Sequence, residues 1–113
     1  IINNKNSLEK SQILLEYAVK KIIQEGYDHK IDNYFVIPQY NLGIIYYKLN
    51  KQPEAIKQFQ NVIADFDQYA IPINMDDGSV LEYINSENKI LEKKKGINIL
   101  ELAKENLNQL QVK

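Results

Sequence analysis

The chain has 113 residues, 44% of them hydrophobic, and a formal net charge of −1. This length fits one small domain over residues 1–113, and the near-neutral charge argues against a nucleic-acid-binding surface. With no cysteine and one histidine, the sequence offers neither a disulfide nor a zinc site built from cysteine and histidine.

The first predicted helix runs from about Ser7 to Glu25. Its apolar residues recur at three- and four-residue spacing, which is the period of a helix. Asn6 followed by Glu9 is a variant of the capping box, and Gly26 stands where a glycine commonly ends a helix. The expected core stripe is Leu8, Leu14, Leu15, Ala18, Ile22 and Ile23.

Two further helices are expected after a polar loop at 27–33. The second runs from about Tyr34 or Ile37 to Leu49, with Pro38 in its first turn, where the missing N–H is not needed. Asn50 can close this helix. The third runs from Pro53 to about Phe66, and its expected core residues are Ala55, Ile56, Phe59, Val62 and Ile63.

The last part of the chain predicts two more helices after a loop at 67–78. Ser79 with Glu82 is a capping box, so a fourth helix is expected over about 79–95, with apolar residues Val80, Leu81, Tyr83, Ile84, Ile90 and Leu91. Gly96 ends it, and Asn98 with Glu101 starts a fifth helix that reaches about Gln111. The stripe of the fifth helix is Ile99, Leu102, Ala103, Leu107 and Leu110. The fold predicted from these patterns is all-α, with about five antiparallel helices.

Five residues of the second and third helices stand at the spacing of a known repeat. A Leu-Gly pair and a tyrosine in the one helix are followed by an alanine and a phenylalanine in the other. The stretch resembles the tetratricopeptide repeat, a helix–turn–helix unit of about 34 residues. The resemblance implies that the matching residues pack the two helices together: Leu42, Gly43, Tyr46, Ala55 and Phe59.

The resemblance covers about residues 36–69 and is incomplete. Gln39 and Asp67 stand where the repeat has a tryptophan and a proline. Half-matches at 18–22 and 103–107 indicate degenerate repeats on either side. A glycine inside a helix costs about 1 kcal/mol relative to alanine, so Gly43 is expected where two helices approach closely.

The resemblance implies a non-enzymatic module that binds a protein or peptide in a groove. In that family the first helix of a repeat lines the concave surface, so the implied groove residues are Ile37, Tyr40, Asn41, Ile44, Tyr47 and Lys48. Two alternatives stay open. The first or fourth helix could cover this face and make the residues core, or the chain could be a structural subunit of a larger assembly in which the repeat only packs.

A specialised carboxylate clamp is not expected. Asn41 occupies one clamp position, but its neighbour Tyr40 replaces the lysine of that clamp. All 14 basic residues of the chain are lysines, so the arginine of the clamp is missing as well.

No catalytic, cofactor or metal site is predicted. His29 stands in a polar loop without a nucleophile beside it. The lysines at 93–95 fit the C-terminus of the predicted fourth helix, where positive charge is favourable. Four aspartates lack the spacing of a calcium-binding loop: Asp65, Asp67, Asp76 and Asp77.

The expected partner is a protein or peptide, not nucleic acid or a membrane. The apolar runs are too short to cross a bilayer, and the lysines are not interleaved with aromatic residues. The first residue is Ile1 rather than Met, so we expect a processed chain or a piece of a longer protein. The compartment and the oligomeric state are left open.

Overall fold

The computed structural model describes residues 5–25, 36–66, 80–84, 91–95 and 99–111. These residues form four helices and one β-hairpin in the order α1 (Lys5–Glu25), α2 (Val36–Lys48), α3 (Gln52–Asp65), β1 (Val80–Ile84), β2 (Leu91–Lys95) and α4 (Ile99–Gln111). Each helix packs on the next one along the chain, and β1 packs on α4. The predicted helical character is confirmed. The predicted loops at 27–33 and 67–78, with His29, Asp67, Asp76 and Asp77, lie outside the described residues.

The fourth predicted helix, over 79–95, is wrong. The described residues of this stretch, Val80–Ile84 and Leu91–Lys95, are antiparallel strands, with Glu82 opposite Lys93 and Tyr83 opposite Glu92. The lysines at 93–95 therefore belong to a strand and not to a helix end. The β-branched and aromatic residues of β1 favour a strand. About five helices were predicted, and the part of the chain that the structure describes contains four.

A tight turn joins α2 to α3. Asn50 has a φ of 61°, a left-handed conformation that asparagine tolerates better than most residues. The N–H of Lys51 donates to the carbonyl of Tyr46 at 2.8 Å, and the N–H of Asn50 donates to that of Tyr47 at 3.1 Å. These two bonds form a Schellman motif, so the predicted closure of the helix at Asn50 is confirmed.

The core lies between α2, α3, α4 and β1. Large side chains from all four elements are completely buried in it, among them Tyr40, Phe59, Ile84 and Leu102. The predicted stripes of α3 and α4 are confirmed, since their residues are buried or half-buried: Ala55, Ile56, Phe59, Val62 and Ile63 in α3, and Ile99, Leu102, Ala103, Leu107 and Leu110 in α4.

The first helix meets the core along a narrower face than predicted. Two residues of its expected stripe are exposed, Leu14 by 69% and Ile23 by 68%, whereas Leu8 and Val19 are buried. Among the described helices α1 packs chiefly on α2, so only one of its faces is covered. The helix also begins at Lys5, which places Asn6 inside its first turn and not at the predicted cap.

Candidate functional site

The face of α2 that was predicted to line an open groove is largely covered. Tyr40 is 0% and Ile44 is 3% exposed, so both side chains belong to the core. The other four residues are half-buried: Ile37, Asn41, Tyr47 and Lys48. The sequence left open whether this face is exposed or covered by other elements. At Tyr40 and Ile44 it is covered. The cover over Tyr40 comes from β1, which lies in the segment predicted as the fourth helix, and from α4, which was predicted as the fifth.

Tyr40 is the centre of a buried polar network that joins three elements. Its hydroxyl donates to the backbone carbonyl of Glu82 at 2.5 Å and accepts from the Nδ2 of Asn106 at 2.9 Å. The Oδ1 of Asn106 accepts from the backbone N–H of Ile84 at 2.9 Å. Residues 82 and 84 are two positions apart in β1, so the carbonyl of Glu82 and the N–H of Ile84 point to the same edge of the strand. Side chains from α2 and α4 thus satisfy a strand edge that would otherwise lack partners.

Burial changes the chemistry of this tyrosine. Desolvation raises the pKa of the Tyr40 hydroxyl well above its ordinary value, and the hydrogen bond from Asn106 only partly offsets that rise. The hydroxyl therefore stays protonated at any physiological pH. In this state it hydrogen-bonds to the backbone of β1 and to Asn106.

The charged residue of the predicted groove is already paired. The Nζ of Lys48 lies 2.9 Å from the Oε1 of Glu82 on β1, and the lysine side chain is only 10% exposed. A carboxylate of a partner would have to share this amino group with Glu82. Lys48 thus tethers the hairpin to α2 in this arrangement.

Of the five residues of the repeat signature, Gly43 in α2 and Phe59 in α3 are in direct contact. All five are buried: Leu42, Gly43, Tyr46, Ala55 and Phe59. A Cβ added to Gly43 would lie 2.6 Å from Cε1 of Phe59, so the aromatic ring takes the place of a side chain at position 43. The ring of Phe59 also packs on that of Tyr40, with centroids 5.6 Å apart. The close approach at Gly43 is thus between the backbone of α2 and a ring of α3.

A groove remains open on the other side of α2. α1 and α3 each pack on α2 but make little contact with one another. The space between them has a volume of about 360 Å³, and its floor includes Leu42 and Tyr46. Its other lining residues are Glu16, Val19, Lys20, Ile23, Gln24 and Gln58. The Oε1 atom of Gln58 is buried and has no hydrogen-bond partner in the structure, which leaves one polar atom in this groove unsatisfied.

The carboxylate at the rim of this groove is engaged by the protein itself. The Tyr46 hydroxyl donates to Oε2 of Glu16 at 2.5 Å, and Nε2 of Gln12 donates to the same oxygen at 3.1 Å. Burial, with the hydrogen bond to Glu16 as a further cause, raises the pKa of Tyr46. The Nζ of Lys51 donates to Oε1 of Gln12 at 2.8 Å, which ties α1 to the α2–α3 turn. These contacts link α1 to α2 and to the α2–α3 turn.

The largest exposed apolar side chains of the described residues lie on α1. They are Ile13, Leu14, Tyr17 and Ile23, and each is 62–69% exposed. The sequence contains a signal for this, because residues 13–19 are apolar at all positions except Glu16. A run of this length places apolar side chains on all sides of the helix, so one neighbouring helix cannot bury all of them.

Sequence reasoning also missed Asn106, which is completely buried. It stands within the apolar stripe of α4, three residues after Ala103 and one before Leu107. A polar residue at a buried position needs hydrogen-bond partners inside the protein. The position of Asn106 within an apolar stripe was therefore the signal that it takes part in a buried polar network.

Two kinds of site are not found within the described parts of the chain. No group of three or more histidine, cysteine, aspartate or glutamate residues there could hold a metal ion. None of the described helices is both long and apolar enough to span a bilayer.

Comparison with known proteins adds no assignment. No protein-family model matches the chain, and no curated protein sequence or solved structure is significantly similar to it. Function therefore has to be argued from the surfaces that the helices leave exposed.

Proposed function

We propose that the chain is a non-enzymatic protein–protein interaction module of the helical-repeat kind. The observation that carries the proposal is the exposure of apolar side chains on α1, where Ile13, Leu14 and Tyr17 stand within five residues. Single exposed apolar residues are ordinary on any protein surface, whereas neighbouring ones are typical of interaction sites.

The sequence resemblance supports the same class of function. The tetratricopeptide-like residues include Gly43 and Phe59, which interlock α2 and α3. Proteins of the resembled family bind peptides and partner helices through stacked helical pairs. Because Tyr40 and Ile44 are buried, we place the binding surface on α1 and the adjoining groove over Leu42 and Tyr46, and not on the face of α2 predicted from the sequence.

A structural role in a larger assembly is the alternative. The burial of Tyr40 under β1 and α4 supports this alternative, because a covered side chain is not available to anchor a peptide in a groove. In that case α1 would be covered permanently by another subunit. The isolated chain would then associate or precipitate, whereas an interaction module would stay monomeric until its partner is added.

The test compares partner capture by the wild-type chain with capture by a variant of the α1 surface. Ile13→Asn with Tyr17→Asn removes apolar area from exposed positions, so stability should change by less than about 0.5 kcal/mol for each substitution. Gln60→Ala with Asn108→Ala, at exposed positions of α3 and α4, is the matched control.

We expect the α1 variant to lose at least about tenfold in the yield of specifically captured proteins, measured by quantitative mass spectrometry, because apolar anchors dominate interfaces. The control should capture as the wild type does. Equal capture by the α1 variant would contradict the proposed surface. Sedimentation of the isolated wild-type chain separates the alternatives, since a self-associating chain would favour the structural subunit.

A further inference from the structure

Two helices hold the backbone of β1 through side chains. The Tyr40 hydroxyl of α2 donates to the carbonyl of Glu82, and the Oδ1 of Asn106 in α4 accepts from the N–H of Ile84. The Nδ2 of Asn106 donates to the Tyr40 hydroxyl at 2.9 Å, which orients both side chains. Backbone groups at alternate positions are what any extended segment presents along one edge, whatever its sequence. Tyr40 and Asn106 are therefore placed to bind an extended backbone.

The side chains of β1 add selectivity to this contact. The Oε1 of Glu82 lies 2.9 Å from the Nζ of Lys48. The two residues that follow are buried, Tyr83 at 7% and Ile84 at 0% exposure. The segment that fits is thus extended and carries a glutamate, an aromatic residue and an aliphatic residue in succession. We call the place that holds β1 the strand site and define it by Tyr40, Lys48 and Asn106.

The hairpin is attached to the helices chiefly through β1. Among the described elements β2 packs on β1, and it has no more than a weak contact with any helix. A two-stranded hairpin by itself is marginally stable in water. Parts of a protein with few packing contacts open at a lower free energy than the core does. We therefore expect β1 to leave the strand site more readily than the helices unfold.

We propose that the strand site is a second binding site of the chain, which β1 occupies as an internal ligand. A partner segment with the glutamate–aromatic–aliphatic pattern replaces β1 and makes the same contacts with Tyr40, Lys48 and Asn106. The hairpin is then an autoinhibitory contact that closes the site until such a segment is present. This inference goes beyond the proposed function, because it concerns a covered site and not the α1 surface.

Competition with β1 sets the affinity of the strand site. A ligand joined to its site by a short flexible link has an effective concentration on the order of millimolar, so a separate peptide with the same contacts binds weakly. Its apparent affinity rises in proportion to the fraction of molecules in which the site is open. Weakening the contacts of β1 should therefore strengthen the binding of a separate peptide. A hairpin that is only a fixed part of the core predicts no such gain.

The test titrates the ¹⁵N-labelled full chain with a capped peptide that has the sequence of residues 78–86, which includes β1. In the wild type we expect half-displacement of β1 at a peptide concentration on the order of 1 mM. The amide of Ile84 should shift because its N–H loses Asn106, and amides of α2 should shift with it. Glu82→Gln in the chain weakens the contact of β1 with Lys48. The peptide should bind this variant at least about fivefold more tightly than the wild type.

A second comparison tests whether Lys48 recognises the glutamate of the peptide. In the Glu82→Gln chain, a peptide that carries the same Glu82→Gln change should bind about fivefold more weakly than the unaltered peptide. Adding Lys48→Met to that chain should abolish the difference between the peptides. Adding Lys57→Met instead, which removes the same charge from an exposed position of α3, should preserve it. Circular dichroism checks that every variant is folded.

Absence of binding at millimolar peptide in both the wild type and the Glu82→Gln chain would overturn the proposal. Equal or weaker binding by the variant would do so too, since β1 would then be a fixed part of the core. Shifts confined to β2 would place the peptide on the outer edge of the hairpin, and shifts confined to α1 would place it on the α1 surface. Either result contradicts the strand site. The proposed function is judged separately, because capture of partners through Ile13 and Tyr17 does not require Lys48.

Discussion

The α2–α3 helix pair and the β1–β2 hairpin are held in place by different kinds of contact. In the helix pair, the ring of Phe59 fills the space that a side chain at Gly43 would need. The hairpin is held by hydrogen bonds from side chains to its backbone, from Tyr40 to the carbonyl of Glu82 and between Asn106 and the N–H of Ile84. One region thus depends on shape and the other on polar partners that lie far away in the sequence.

This difference explains which region could be read from the sequence. Interlocking apolar residues within one helical hairpin produce a local pattern of fixed spacing. The polar partners of the hairpin are 22 and 42 residues from the groups they bind, so no short window contains both. Tyr40 takes part in both regions, because its ring packs on Phe59 and its hydroxyl binds β1.

Truncating the shared residue should have the largest effect. Tyr40→Ala leaves a cavity beside Phe59 and releases Glu82 and Asn106, so we expect it to lower the free energy of unfolding by about 3–5 kcal/mol. Tyr40→Phe keeps the ring and should cost about 1–3 kcal/mol through the unsatisfied polar groups. Urea denaturation measures both.

Tyr17→Ala is the matched control for the loss of a tyrosine, since Tyr17 is 62% exposed. It should change stability by less than about 0.5 kcal/mol. If Tyr40→Ala were as mild as this control, the face of α2 that contains Tyr40 would be open after all, and the groove predicted from the sequence would regain its place as the binding surface.

The second test addresses the helix pair alone. Gly43→Ala gains about 1 kcal/mol in helix propensity, but its methyl group meets the fully buried ring of Phe59. Overpacking of this kind costs about 1–3 kcal/mol, so we expect a net destabilisation of up to about 2 kcal/mol. Gly43→Leu, which adds more volume, should cost more, and melting temperatures rank the variants.

A double-mutant cycle identifies the partner of Gly43. Phe59→Leu removes the ring, so the cost of Gly43→Ala should shrink by at least about 0.5 kcal/mol in that background. Additive effects would mean that position 43 is limited by something other than Phe59.

The third test addresses the hairpin alone. Asn106→Leu leaves the N–H of Ile84 without its acceptor, so we expect a loss of about 1–3 kcal/mol. The loss should be local, with faster hydrogen exchange at Ile84 than at buried amides of α2 and α3. Asn108→Leu, at an exposed position of the same helix, is the control. Uniformly faster exchange across all elements would show that the hairpin and the helices unfold as one unit.

Much of the helical architecture could be predicted because its signals are local. Pro53 and Asn50 mark the α2–α3 turn, and α4 begins at Ile99 close to its predicted cap. The strands were missed because Ser79 with Glu82 imitates a capping box. The β-branched and aromatic residues of β1, followed by turn-forming Asn85, Ser86 and Asn88, were the competing signal.

The candidate site was harder to predict than the fold, because exposure depends on which elements pack where. Periodicity assigns apolar residues to a face but does not say what covers that face. Tyr40 was expected in a groove and is covered by β1, whereas Leu14 was expected in the core and is exposed. The first error follows from the unrecognised hairpin, and the second from α1 having its main described contact on one side only.

A further effect is expected in alkaline solution, where the protein should lose stability. An unfolded tyrosine ionises near pH 10, whereas burial keeps the Tyr40 hydroxyl neutral in the folded protein to higher pH. Above about pH 10 the unfolded state therefore binds fewer protons than the folded state, and the free energy of unfolding falls as the pH rises. At pH 11 Tyr40 should contribute a loss of about 1.4 kcal/mol relative to neutral pH, since each unit between the two pKa values corresponds to about that free energy.

The measurement compares urea denaturation of the wild type and Tyr40→Phe at pH 7 and pH 11, because the remaining tyrosines are common to both. The gap between the two proteins should narrow at pH 11. A constant gap would mean that the Tyr40 hydroxyl ionises as easily in the folded chain as in the unfolded one, which would place the strand edge of β1 in contact with water.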